Sequence, residues 1–320
     1  MVDDETSPNG DTIAPEEAFG LLGNATRVEI LRVLGEVDEA LSFSDLYDRV
    51  DVDDSGQFNY HLDKLVGHFV RKAESGYVLD RPGRRVVEAV LSGAVTGDPE
   101  MARTLVDLSC RRCGAPVEIE WRAGSVELYC TECDGAWGQT RGGGPGGGDA
   151  DSGYLGRLLL PPAGLRDRDP EAVVRTAWTW TMLEVFACVK GVCPRCSATI
   201  DRSVSVCAAH KDGDGICSVC EHDYAVTVGF HCTNCIFGTG GSGVLAVLGH
   251  PAMLSFLVEQ GFDPIQPYDT GVVEAIHQGY EEEILSYEPL SARFTFEADG
   301  ETLAVRVDEH LDVVETTRGA

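Results

Sequence analysis

Ten of the twelve cysteines fall into five C-x-x-C pairs. Spacing of that kind points to metal before disulfide, since a short chelate brings two soft ligands to one ion. The first two pairs are Cys110/Cys113 and Cys130/Cys133, joined by sixteen residues that read as a hairpin. Each pair forms a knuckle, the hairpin apposes the two knuckles, and four thiolates surround one ion. Tetrahedral sulfur suits zinc or rubredoxin-like iron. Zinc is the stronger reading, because nothing else suggests electron transfer. Dithiol redox chemistry is disfavoured, because neither motif sits in a βαβ context.

The same unit recurs further on, as Cys193/Cys196, a strand-like stretch, a returning strand, and Cys232/Cys235. Its turn is replaced by "CAAHKDGDGICSVC", which carries Cys207, His210, Cys217 and Cys220. Two pairings are open. A nested arrangement gives the outer four cysteines one ion and the loop its own. A cross-braced arrangement joins 193/196 to 217/220 and 207/210 to 232/235. His222 or His231 could replace His210. About three Zn2+ per chain are expected, in structural rather than catalytic roles, since every proposed site has four protein ligands and no open position. Arg111 and Arg112 lie in the first knuckle, but the acidic hairpin "VEIEW…VELY" argues against nucleic acid there. Cys188 is expected to be a buried free thiol on a helix.

The net charge of −28 comes from 53 acids spread along 320 residues, with four lysines against twenty-one arginines. A dispersed acidic surface poor in lysine suits a cytoplasm of high salt, where screening weakens self-repulsion. No signal peptide is read at the acidic N-terminus. The most apolar stretch, 171–191, is interrupted by Arg175, Glu184 and Lys190, so a buried helix is expected and no membrane span. A reduced, cytoplasmic location fits the free thiols.

The expected fold class is α+β. Residues 1–13 read as a disordered tail and 14–96 as a helical domain with one hairpin. Residues 105–140 form the first ribbon, and 141–153, with "GGGPGGG", a flexible linker. Residues 154–320 form a mixed helix and antiparallel-strand domain containing the second ribbon. A helix is expected to start at Asp169, another to end at Gly261, and a tight hairpin to turn at "DG" 299–300.

In the N-terminal part, Leu22, Val28, Leu31 and Leu34 supply a buried stripe with Ile30 beside it. Ser42 caps a short helix, with Asp45 three residues on. A further helix begins near Ser55 and turns Phe58, Leu62, Leu65 and Val66 inward. Ser55, Gln57, Asn59, Tyr60, His61 and Lys64 are its candidate base-reading residues, polar and little charged. A hairpin turning at Glu74-Ser75-Gly76 follows, then a closing helix. Residues 71–85 hold Arg71, Lys72, Arg81, Arg84 and Arg85 against Glu74 and Asp80, a positive cluster in an acidic chain. Arg71, Lys72, Arg84 and Arg85 are the candidate phosphate contacts. Helix, helix, turn, helix and hairpin make a winged helix-turn-helix.

The stretch "LLGNATRVEILRVL…SFSDLYDRV…DSGQFNYHLDKL…GYVLDRPGRRVVEAV" resembles the ArsR-like winged-helix regulators of halophilic archaea. The Cys-rich remainder resembles the C-terminal domain that accompanies this module in such proteins. The resemblance implies a DNA-binding transcription regulator, often a homodimer, acting on double-stranded DNA. One departure is plain: the helix "SFSDLYDRV" lacks the cysteine pair of metal-sensing members. No enzyme is expected. "GTGGSG" at 238–243 follows a knuckle rather than opening a phosphate loop, and no nucleophile arrangement is evident. The alternatives are a zinc-dependent protein–protein adaptor and a thiol- or metal-responsive sensor. The sequence names no effector.

Overall fold

The computed structural model describes residues 13–97, 99–110, 112–135, 153–210, 217–222, 224–266 and 280–319. The N-terminal tail to residue 12, Arg111 and the glycine-rich run 142–148 lie outside the described residues. The chain is α+β, with seven α-helices and antiparallel sheets among the described residues. It divides at Gly97/Asp98 into two units.

The first unit runs α1 (Pro15–Leu22), α2 (Ala25–Gly35), α3 (Phe43–Tyr47), α4 (Ser55–Leu65), β1 (Val70–Ala73), β2 (Gly76–Leu79) and α5 (Arg81–Leu91). Short polar residues start four of the helices by accepting an orphan backbone N–H. Asn24 accepts from Arg27 N, Ser42 from Asp45 N, Asp54 from Gln57 N and Asp80 from Arg81 N. Ile30, Leu31, Phe58, Leu62, Leu65 and Val70 are fully buried and hold the unit together. The strands turn at Glu74-Ser75 with Ala73 opposite Gly76. Gly76 has φ 145°. A Cβ there would lie 2.1 Å from the Leu41 carbonyl oxygen. Leu41 exchanges both backbone hydrogen bonds with Tyr77, so this glycine lets the hairpin dock on the segment before α3.

The second unit begins with a sheet of order β3-β4-β5-β6, from Met101–Ser109, Pro116–Arg122, Ser125–Cys130 and Tyr154–Leu159. Two of these strands depart from expectation. β3 precedes the first knuckle, where the residue pattern predicts no strand. It is an edge strand that buries only Val106, so it carries no alternating pattern. β6, placed by the sequence beyond a linker, pairs with β5 and completes the first sheet. The boundary expected at 141–153 therefore falls within one sheet.

Asp169 caps α6 (Pro170–Val189) as expected. Its first half buries Val173, Val174 and Ala177 against Val117, Ile119 and Leu158 of the first sheet. Its second half gives Met182, Val185 and Cys188 to another core. One long helix thus closes two cores, and that explains its near-continuous apolar run. No helix among the described residues is long and apolar enough to cross a membrane.

A three-stranded sheet, β7 (Ile200–Val206), β8 (Val226–Cys232) and β9 (Gly238–Ser242), follows in that order. Then come α7 (Pro251–Glu259) and a meander, β10 (Tyr280–Tyr287), β11 (Leu290–Ala298), β12 (Glu301–Val307) and β13 (Val313–Gly319). Asp299 and Gly300 both have positive φ (49° and 82°), the two-residue turn that the "DG" signal requires. Val226, Phe230, Met253, Phe256, Phe294 and Val305 fill the shared core. The Glu282 carboxylate accepts the N–H groups of Ala225 (2.6 Å) and Val226 (3.1 Å), tying β10 to the start of β8.

Candidate metal centres and nucleic-acid interface

Three of the C-x-x-C turns share one backbone design. Gly114 N, Ser197 N and Glu221 N donate to the carbonyls of Cys110, Cys193 and Cys217 at 2.8, 2.9 and 2.8 Å. Cys110 N, Cys193 N and Cys217 N in turn donate to Ala115, Ala198 and His222. The residue after each second cysteine has positive φ: 74° at Gly114, 62° at Ser197 and 58° at Glu221. A single left-handed residue reverses the chain so that both sulfurs of a pair point the same way. Backbone N–H groups also aim at sulfur, from Arg112 to Cys110, Glu132 and Cys133 to Cys130, and Asn234 and Cys235 to Cys232, at 3.3–3.4 Å.

These turns assemble three clusters, each with four ligand atoms mutually within 4.8 Å. The first is Cys110, Cys113, Cys130 and Cys133, and the second is Cys193, Cys196, Cys232 and Cys235. The third is Cys207, His210, Cys217 and Cys220. The chain thus adopts the nested pairing and not the cross-braced one, and neither His222 nor His231 belongs to a cluster. Sulfur separations across the knuckles are 3.6 and 3.4 Å in the first cluster and 3.7 and 3.4 Å in the second. A disulfide needs about 2.05 Å, and all twelve cysteines are free. A tetrahedron with metal–sulfur bonds of about 2.3 Å has edges of about 3.8 Å. His210 Nδ1 lies 3.3 Å from Cys220 Sγ, closing the third set.

Charge tells the same story. Burial works to raise the Cys130 thiol, but N–H donation from Cys133 and Glu132 outweighs it and brings the group down to about 7. Donation from Cys235 leads in lowering Cys232 to about 6. Cys133, half-buried, is pushed up to about 12 by that partial burial first and then by the neighbouring sulfurs. Four sulfurs this close cannot all ionise without a cation between them. The donor sets therefore fit soft or borderline dications, with no ligand position left open in any of them.

Arg195, inside the Cys193/Cys196 knuckle, donates to the buried carboxylate of Glu184 on α6 and stands 5.4 Å over the Phe237 ring. Burial raises the Glu184 pKa and Arg195 partly offsets the rise. Sequence reading misses this pair. Glu184 stands out in the sequence only as an interruption of an apolar run, and that interruption is the available signal.

On α4, Ser55, Gln57, Asn59, Tyr60 and Lys64 are exposed, as expected. Lys64 Nζ lies 5.7 Å over the Tyr60 ring, and Asn59 donates to Asp63 at 3.0 Å. His61 is a correction: it is 6 % exposed and points inward. Arg27 holds it there. That guanidinium bonds the Leu21 and Gly20 carbonyls and approaches His61 Nδ1 at 3.4 Å. Burial first, then the Arg27 charge, lowers the His61 pKa. Arg71 and Lys72 are exposed on β1. On α5, Arg84 is exposed, and Arg85 pairs with Glu88 at 2.7 Å.

Residues 15–90 match a family described as Domain of unknown function (DUF7347). Residues 107–313 match another, Domain of unknown function (DUF7351). No curated protein and no solved structure matches the chain. The second match spans more than half of the 320 residues and includes all three ligand clusters, so the chain belongs to the DUF7351 family.

Proposed function

We propose that the protein is a cytoplasmic, sequence-specific regulator of transcription that binds double-stranded DNA through its first unit. In this reading the first unit is a winged helix-turn-helix. Helix α4 enters the major groove and the β1–β2 hairpin is the wing. The observation that carries the proposal is the pairing of two surfaces in one small unit. Gln57, Asn59, Tyr60 and Lys64 form an exposed hydrogen-bonding face on α4, and Arg71 and Lys72 stand exposed on the hairpin that follows. Base edges call for the first kind of surface and phosphates for the second. The protein acts as a homodimer, as its resemblance to ArsR-like regulators implies, and catalyses no reaction.

The three clusters hold zinc in structural roles. Each offers four soft donors, so binding energy stands in for cores that small ribbons cannot build. Chromatin pull-down at native salt tests the regulator reading. Discrete genomic peaks that vanish when Gln57 and Lys64 are both changed to Ala are expected. A second reading, a protein–protein adaptor, draws on exposed Asp51, Asp53 and Asp54 before α4. Those charges repel phosphate and suit a basic protein surface. Uniform background with a stoichiometric protein partner would favour that reading.

A further inference from the structure

A cavity of about 600 Å³ lies inside the second unit, bounded by β6, α6 and the β7–β9 sheet. That is within the range of sites for small organic ligands, about 300–1,000 Å³. Its floor follows from strand register. Ser203, Gly229 and Gly240 line up across the three strands, and Ser205, Thr227 and Ser242 form the next row. Two adjacent glycines and four short hydroxyl residues leave a flat trench. Gly240 is required by the sheet itself, since a Cβ there would meet the Val228 carbonyl oxygen at 2.4 Å. The floor is bare backbone at Gly240, while at Gly229 the Ser203 hydroxyl and the His231 ring close over it, 2.6 and 3.0 Å from where a Cβ would stand.

The walls are flat and apolar. Trp178 of α6 and Leu155 and Leu159 of β6 line one side. His222 and Tyr224 line another with their rings stacked, 5.4 Å apart and 12° from parallel. Ser242 is 5 % exposed, and its hydroxyl oxygen, itself closed off from solvent, has no hydrogen-bond partner among the described residues. An unpaired buried hydroxyl carries a free-energy cost, which a ligand atom relieves once the Ser242 side chain turns toward the trench.

Charge narrows the ligand further. One residue in six of the chain is Asp or Glu, yet none lines the cavity among the described residues. Arg157 is the only Lys or Arg among the described lining residues. Its register partner Glu127 is engaged elsewhere, by Arg122 at 3.2 Å and by the Tyr129 hydroxyl at 2.6 Å.

We propose that this cavity binds a planar aromatic carboxylate. Its rings lie on the Ser203–Gly229–Gly240 floor beside Trp178, a polar atom meets the Ser242 hydroxyl, and the carboxylate faces Arg157 at the rim. The site stands independently of the DNA-binding reading, since every described residue lining it belongs to the second unit. Isothermal titration of the full-length, metal-loaded chain tests it, with naphthalene, biphenyl and anthracene carboxylates and their neutral amides as probes. One saturable site per chain is expected for at least one acid, bound about three- to fivefold more tightly than its amide, the scale of an exposed ion pair. Arg157→Gln should erase that preference, and Ser203→Leu, which fills the trench from an exposed position, should abolish binding. Unchanged metal content and unfolding temperature show that both variants fold. No saturable binding by any of the three acids overturns the site. Equal binding of acid and amide overturns the ligand class. Full binding in Ser203→Leu places the ligand elsewhere and overturns the assignment.

Discussion

His61 shows how one side chain changes role with context. In the folded protein its pKa is lowered, so the unfolded chain binds a proton first as pH falls. The first unit therefore keeps its full His61-dependent stability above the unfolded value near 6.5 and loses it as pH falls below that value. His61→Gln should flatten that dependence, read as the loss of α4 amide protection between pH 7 and 5. An unchanged pH profile in the variant would assign the effect to another group. Gln57 and Lys64, one turn before and one turn after His61 on the same helix, stand exposed beside it. Changing either to Ala should leave unfolding unaltered and weaken binding to a cognate site by about 1–3 kcal/mol where the side chain reads a base. A variant that binds like the parent would remove that residue from the reading surface.

Among the elements, α6 and the β1–β2 hairpin carry the sharpest expectations. The Glu184–Arg195 pair fastens the Cys193/Cys196 knuckle to the helix that closes both cores of the second unit. Arg195 is half-exposed, which lessens the electrostatic gain. Glu184→Ala should still cost about 1–3 kcal/mol, because a hydrogen bond between charged partners is removed at a buried site. Chemical denaturation of the metal-loaded protein measures it, and a change within error would make the pair ornamental. In the hairpin, replacing Arg71 and Lys72 with Gln should weaken binding about equally on all DNA sequences. The slope of log affinity against log salt should fall by about 0.9 for each phosphate that the variant no longer neutralises. A changed sequence preference with an unchanged slope would mean that the hairpin reads bases.

For the whole molecule, every cysteine lies in the second unit and none in the first. Metal analysis should return about three zinc ions per chain, one for each cluster. A strong chelator should then unfold the ribbons of the second unit while the helices of the first persist. Hydrogen exchange followed by mass spectrometry resolves the two. Simultaneous loss of protection in residues 13–97 would show that the units stand or fall together. One ion per chain, or stoichiometric iron, would contradict the zinc assignment.

The ligand clusters and the helix starts were legible in the sequence because both are local. A C-x-x-C turn needs only its own few residues, and Asp54, Ser42 and Asp169 cap helices through N–H groups three positions away. Even the nested pairing was readable as one alternative, since a ribbon with a ligand-bearing turn is a short-range object. Tertiary structure decided what depends on partners distant in sequence. His61 stands three residues after Phe58 and four before Leu65, so helical spacing already borders it on the inward stripe; its contact with Arg27, thirty-four residues earlier, is what the fold adds. β3 and β10 are strands because neighbours pair with them, although as edge strands they expose about half of their side chains, five of nine and four of eight, and bury only Val106. The cavity beside β7–β9 has no signature of its own. Serines and glycines become a floor only when three strands bring them into register and α6 stands over them.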